Sequence, residues 1–306
     1  MTGEFAYISW VRQQTAGDAR VPIGIGDDAA AVRLTSGRDA LITTDMILEG
    51  VHFDLSRTTP RMVGRKAMAV NLSDIAAMAA VPVAAVVSVG LPGDLPQQSA
   101  EELYHGIRGL ADEFSVALVG GDTNLSRSGL VVSITLVGET TQRGPVRRCD
   151  ARPEDWILAT GSFGGSIVGK HLEFTPRVRE ALALHERYDL HAMIDVSDGL
   201  AADLGHILEE SNCGAVLRAS KIPISDAARQ MPGPVSPLDR ALHDGEDFEL
   251  LCTLAADDAR RLLTEQPLGV PVSHIGFITA GRELVLEADD GSRRKLEPMG
   301  YDHFRQ

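Results

Sequence analysis

Aspartates stand where strand-length apolar runs or tight turns give out, and no other feature of this chain restricts its fold as much. Asp27 and Asp28 follow Gly24-Ile25-Gly26, Asp45 follows Leu41-Ile42-Thr43-Thr44, Asp122 follows Val119-Gly120-Gly121, and Asp195 and Asp198 bracket Val196-Ser197. Carboxylates so placed are held by rigid backbone and project together into a crevice, where hard oxygen donors suit Mg²⁺. Asn71 and Asp74, three apart on a helix-period segment, share one helix face and can join the group. The glycines let backbone N–H groups approach phosphate oxygens, and the hydroxyls of Thr43, Thr44 and Ser197 supply secondary contacts. Taken singly, several pieces have a plainer reading: Gly-Asp-Asp is a turn sequence, and Ser197 or Asp198 can cap the helix that follows. Asp74 resists it, because a carboxylate beside Leu72, Ile75 and Met78 is costly to bury without a partner.

The runs that carry these aspartates alternate with helical periodicity. Residues 40–47, 83–91, 116–119 and 130–137 read as strands, and 61–80 and 96–114 as helices, the second with Leu103, Ile107, Leu110 and Phe114 on one face. Between Arg143 and Asp155 the composition shifts to Arg, Pro, Gly and Asp, which places a boundary near residue 150 and separates residues 1–150 from 151–306. The second half restarts with strands at 156–160 and 193–196, a helix at 200–210, and strands near Ala215, Phe248, Ile275 and Leu284. Single cores stop growing near about 250–300 residues, so a chain of 306 residues is expected to form two domains, one α/β and one α+β.

A net charge of -14 argues against a nucleic-acid partner, since phosphate backbones are gripped through clustered Lys and Arg. An anionic substrate would need bound divalent cations to neutralise it. Cys149, Cys213 and Cys252 are scattered and lack CxxC spacing, which supports neither a disulfide framework nor a zinc site, and no apolar run is long enough to span a membrane. A cytoplasmic location is expected. Neither a GxxxxGK[ST] loop nor HRD or DFG segments occur, so any phosphoryl transfer relies on a metal cluster instead of a lysine cradle.

With their order and spacing, these segments resemble the thiamine-monophosphate kinase family of the AIR-synthetase-like (PurM-like) superfamily over essentially the whole chain. The matching stretches are GEFAYI near the start, GIGDDAA at 24–30, TTDMILEGVHF at 43–53, AVNLSDIAAMAA at 69–80, GGDT at 120–123, DVSDGLAADLGHI at 195–207, GEDFEL at 245–250 and GYDHF at 300–304. EGVHF and GYDHF are the discriminating pieces, the others being shared more widely in the superfamily. The resemblance implies an N-terminal α/β domain that carries the ATP and Mg²⁺ site and whose sheet forms a homodimer interface, a C-terminal α+β domain, and an active-site cleft between them. It also implies that Asp28, Thr43, Thr44, Asp45, Asp74, Asp122 and Asp195 hold several Mg²⁺ ions, with Asp198 a further ligand. Tyr104, Gly121, Asp122, Arg148 and Ser197 would contact ATP, and His52, Glu246 and Tyr301 would contact thiamine monophosphate, with Asp45, Asp74, Asp122, Asp195 and Arg148 carrying catalysis.

Two departures from the family pattern stand out: Ala79 where Gly is usual, expected to tighten packing beside Asp74, and Asp244 before Gly245 where Gly-Gly is common. The implied reaction passes the γ-phosphoryl group of ATP directly to the phosphate of thiamine monophosphate. Rival readings are another ATP-using member of the superfamily, such as an aminoimidazole-ribotide or selenophosphate synthetase, and a noncatalytic nucleotide- or metal-binding homodimer.

Overall fold

Alternating exposure along residues 40–48 makes β1 (Ala40–Leu48) an edge strand with one covered and one open face. It belongs to a four-stranded sheet ordered β1-β4-β2-β3, with β2 (Val81–Pro92), β3 (Ala117–Ser126) and β4 (Val131–Glu139). β1 runs antiparallel to β4, β4 antiparallel to β2, and β2 parallel to β3. The computed structural model describes residues 10–15, 17–23 and 30–297, and Asp27, Asp28 and Tyr301 lie outside them. These residues fall into two units, one of residues up to 144 without Ala76–Ala79, the other of Ala76–Ala79 with residues from 145 onward.

Helix α1 (Pro60–Ala77), as far as Ile75, and helix α2 (Gln97–Glu113) belong to the first unit. α1 packs on the covered sheet face, where a Cβ on Gly138 would lie 2.9 Å from Ile75 Cδ1. α1 and α2 cross so closely that a Cβ on Gly64 would stand 2.1 Å from the Leu103 carbonyl oxygen, and one on Gly106 1.9 Å from that of Arg61. The chain leaves α1 through Ala79 at φ 50, with Ala80 N–H donating back to the Ile75 carbonyl. Glycine is usual at that position because a helix commonly ends on a left-handed residue; the departure at Ala79 therefore acts on the backbone more than on packing.

The second unit is built on a seven-stranded mixed sheet ordered β11-β10-β7-β9-β5-β8-β6. Its strands are β5 (Trp156–Thr160), β6 (Leu190–Asp195), β7 (Gly214–Arg218), β8 (Leu250–Leu254), β9 (Val272–Thr279), β10 (Leu284–Glu287) and β11 (Arg293–Lys295). Among the described residues six α-helices accompany it: α3 (Lys170–Glu173), α4 (Val178–Arg187), α5 (Leu200–Ser211), α6 (Asp226–Gln230), α7 (Pro237–His243) and α8 (Ala256–Glu265). Every residue of β6 and β8 is buried, as expected of strands covered on both faces. Leu200, Leu204, Ile207 and Leu208 of α5 share the core with Ile157, Ile194 and Ile275 of the sheet. Each such Leu or Ile contributes about 1.5–3 kcal/mol by leaving water.

Candidate active site

In the first unit, period-2 geometry puts Thr43 and Asp45 on the covered face of β1, beneath α1. Asp74 is half-exposed on a helix otherwise buried along its last two turns, and its Oδ2 accepts the Thr43 hydroxyl. Thr43 and Asp74 thus come together, with Asp45 on the same face of β1 two residues further along. Thr44 does not share their face: its Oγ1 donates to the Ile134 carbonyl at 3.1 Å and accepts from Thr135 Oγ1 at 3.0 Å, so only its backbone faces toward Thr43 and Asp45. Asn71 is fully buried and its Nδ2 donates to the Ala67 carbonyl at 3.0 Å, which turns it into its own helix and away from Asp74.

Neither Asp45 nor Asp122 marks a strand end, contrary to the sequence expectation. β1 continues to Leu48 and β3 to Ser126, because pairing with β4 and β2 keeps each backbone in its ladder past the aspartate. Asp45, Ile134, Val87 and Gly121 form one row across the sheet, with Asp122 exposed one residue beyond it on the far edge. Asp122 accepts from its neighbour Thr123 N–H at 2.9 Å and from Asn124 Nδ2 at 2.7 Å. Gly121 is required by strand approach, since a Cβ there would stand 2.0 Å from the Val87 carbonyl oxygen.

His52 sits in the turn after β1, its Nδ1 accepting the Leu48 N–H at 3.1 Å and its carbonyl accepting Lys66 Nζ at 2.8 Å. Tyr104 is 6% exposed, its ring edge-on to Trp10 at 5.3 Å and its hydroxyl 3.0 Å from Thr15 Oγ1. With Thr15, Arg20 and Arg108 it lines a cavity of 270 Å³. That is just below the range of about 300–1,000 Å³ typical of whole-ligand sites, so it suits one ring system.

In the second unit Asp195 closes β6 and is 3% exposed, and the turn Ser197-Asp198-Gly199 leads into α5. Asp203, in the first turn of α5, accepts the N–H groups of Asp198 at 3.0 Å and Gly199 at 3.1 Å. Burial first, then the negative charges of Asp195 and Asp198, push its carboxyl up to about 8. Asp198, Asp203 and His206 each present one ligand atom, all within 4.8 Å of one another. Two of these three donors, those of Asp198 and Asp203, are carboxylate oxygens, the type that Mg²⁺ takes. Glu246 meets the same turn through its N–H, which donates to the Ser197 carbonyl at 2.6 Å. Arg148 has an exposed side chain, and its carbonyl accepts Ser211 Oγ at 2.8 Å.

Sequence reasoning missed a buried ionic group beside Glu246. Glu249, 2% exposed, takes paired hydrogen bonds from Arg177 at 2.8 Å, one from Lys170 at 2.9 Å and one from Thr160 at 2.8 Å. Burial pushes its carboxyl upward, but the Arg177 hydrogen bonds and the Lys170 charge outweigh that and hold it below the usual value. Asp247 is fully buried, with Lys170 Nζ 3.8 Å from Oδ1, and burial pushes its carboxyl up to about 7. Charged residues two apart in GEDFEL were the available signal: alternate positions entering a strand share one face.

The sequence matches the N-terminal domain of AIR synthase related proteins over residues 26–140 and the C-terminal domain over residues 145–289. It is 38% identical to the thiamine-monophosphate kinase of Rhodopirellula baltica, over 98% of this chain and 97% of that protein. The fold is similar to the crystal structure of thiamine-monophosphate kinase from Stenotrophomonas maltophilia K279a, with a TM-score of 0.81, 35% identity, and coverage of 95% of this chain and 97% of that one. It is also similar to a structure described as AaThiL complexed with AMPPCP and TMP, with a TM-score of 0.77, 30% identity, and coverage of 99% and 97%. Among the described residues no helix is long and apolar enough to cross a membrane.

Proposed function

We infer the activity of this chain from its kinship: it belongs to the thiamine-monophosphate kinase family, and it uses ATP to phosphorylate thiamine monophosphate, giving thiamine diphosphate and ADP. The observation that carries this reading is identity of 38% extending over 98% of the chain. The likeness to a solved relative that holds AMPPCP and TMP supports it.

The residue roles follow as a proposal. The attacking group is a phosphate oxygen, whose second ionisation near about pH 6 leaves it largely charged at neutrality, so no general base is needed. The obstacle is repulsion between two polyanions, which positioning and charge neutralisation overcome in a loose in-line transfer. Bound Mg²⁺ would supply the neutralisation of phosphate charge. Asp28, Asp45, Asp74, Asp122, Asp195 and Asp198 are its proposed carboxylate ligands, with Thr43 and Thr44 contributing oxygen. The cavity beside Tyr104 has the size to seat the adenine ring, the exposed Arg148 guanidinium can grip phosphate in two places, and Gly121 and Ser197 complete the ATP contacts. His52, Glu246 and Tyr301 bind thiamine monophosphate, Tyr301 by stacking on a ring, where a cationic thiazolium adds about 0.5–2 kcal/mol. Residues 1–150 form the domain with the ATP and metal ligands and 151–306 the second domain.

We further propose a homodimer formed through the open face of the four-stranded sheet. Ile42 is 71% and Met46 54% exposed there, in register with Val137 and Ser133. Asp45 and Asp122 stand on opposite edges, three strand spacings or about 14 Å apart. The cytoplasm is the proposed location.

The decisive assay incubates the protein with ATP, Mg²⁺ and thiamine monophosphate and separates the products by chromatography. Thiamine diphosphate and ADP should appear in equal amounts, while unphosphorylated thiamine should not react. Absence of thiamine diphosphate, or equal use of thiamine, would sink the assignment.

A further inference from the structure

Two residues of the segment Asp244–Glu249 adopt a backbone that side chains disfavour: Glu246 at φ 63 and Phe248 at φ 50. Each such residue costs on the order of 1–3 kcal/mol and persists only where its surroundings over-determine it. The restraints are visible on both sides. Toward the strand end, Glu246 N–H donates to the Ser197 carbonyl at 2.6 Å and Phe248 N–H to that of Val196 at 2.7 Å. Toward the glycine loop after β5, Ser166 Oγ donates to the Glu246 carbonyl at 2.6 Å, and Gly165 N–H donates to Asp244 Oδ2 at 2.9 Å. Phe248 stacks on Phe174 with ring centroids 4.1 Å apart and an interplanar angle of 11°.

Asp247 lies between the two left-handed residues and ties them to the rigid frame. Its Oδ2 accepts the Gly164 N–H at 2.8 Å. Gly164 is itself immobilised against α7, because a Cβ there would lie 2.7 Å from the Ala241 nitrogen. The carboxyl is fully buried, yet among the described residues its Oδ1 accepts no hydrogen bond and has only the Lys170 ammonium at 3.8 Å. A buried carboxyl with one oxygen unsatisfied is an expensive way to hold one N–H. The expense is intelligible if the loop it fixes carries function.

We propose that Asp247 is a positioning residue: by anchoring to Gly164 it locks Glu246 in its left-handed conformation and so sets the affinity of the site for thiamine monophosphate. The proposal rests on the reading above in which Glu246 contacts that substrate.

Three variants and two Michaelis constants test it. Asp247→Leu keeps the volume and removes the acceptor, Asp247→Asn keeps an acceptor for Gly164 N–H, and Glu246→Ala removes the contact itself. Loss of a hydrogen bond to a charged group corresponds to about tenfold or more, so Asp247→Leu should raise KM for thiamine monophosphate by about that factor with KM for ATP unchanged. Asp247→Asn should restore KM to near the wild-type value. Asp247→Ser, which retains a shorter acceptor and should give an intermediate KM, replaces the leucine variant if circular dichroism shows that variant unfolded. A raised KM in Glu246→Ala beside an unchanged KM in Asp247→Leu overturns the positioning role alone. So does an equal rise for both substrates, or an Asn variant as impaired as the Leu variant, since either would reduce Asp247 to general stability. An unchanged KM in Glu246→Ala overturns the role of Glu246 and the proposal with it.

Discussion

Asp74 in the four-stranded unit keeps part of its surface in water and takes the Thr43 hydroxyl, whereas Glu249 in the seven-stranded unit is 2% exposed and clasped by Arg177, Lys170 and Thr160. The first carboxylate sits on α1, the helix packed on a sheet with one open face, the second at the mouth of strands buried on both. The contrast teaches that acidic residues serve two ends here. On the proposed roles Asp74 awaits a cation, whereas Glu249 already has its own in Arg177 and Lys170.

The same chemical change in the two places should therefore have opposite signatures. Asp74→Asn is expected to lower kcat by about 10³-fold, with the urea midpoint unchanged. Glu249→Gln leaves Arg177 and Lys170 beside a neutral amide, and breaking a buried pair costs about 3 kcal/mol or more. Its loss should appear in urea unfolding, while the folded fraction keeps much of its turnover. If Asp74→Asn proved chiefly destabilising, or Glu249→Gln chiefly inactivating, the division of roles would collapse.

The open sheet face supplies the next test. Ile42→Glu places a charge where 71% of the side chain is exposed in a single protomer, so it should not harm folding. Light scattering should find the wild-type chain dimeric and this variant monomeric. A wild-type monomer would remove the dimer proposal.

Most of the first unit was legible because period-2 alternation and the 3/4 spacing of Leu103, Ile107 and Leu110 each point to one buried face. Asp45, Asp74 and Asp195 could be singled out for the same reason: a charge interrupting an apolar pattern is visible in one dimension. The Asp247–Glu249 group was not, because its partners Lys170, Arg177 and Thr160 come from segments about 70–90 residues distant. Nor did the residues reveal that β3 continues through Gly120-Gly121-Asp122, since glycine and aspartate read as turn formers and only pairing with β2 keeps them extended.

Proton linkage tests the buried group of the second unit at a finer scale. The Asp247 carboxyl is raised from 3.8 to about 7, so between those values the folded chain holds a proton that the unfolded chain has lost. Its contribution is present at low pH and disappears as pH rises through about 7. Unfolding free energy measured across that window should fall more steeply with pH in the wild type than in Asp247→Asn. A parallel pair of curves would show that the group does not titrate there.

Ala79 gives the smallest effect and the most specific in sign. At the end of a helix, replacing Ala by Gly ordinarily costs up to about 1 kcal/mol. At φ 50, however, the alanine itself carries about 1–2 kcal/mol of left-handed strain. Glycine relieves it but loses about 0.4–1 kcal/mol through the greater freedom of its unfolded chain. Ala79→Gly should therefore stabilise the protein by about 0.8 kcal/mol, the difference between the midpoints of those terms. Urea unfolding on matched samples resolves the sign, and a loss near 1 kcal/mol would mean that residue 79 is helical and that the α1 exit is built differently.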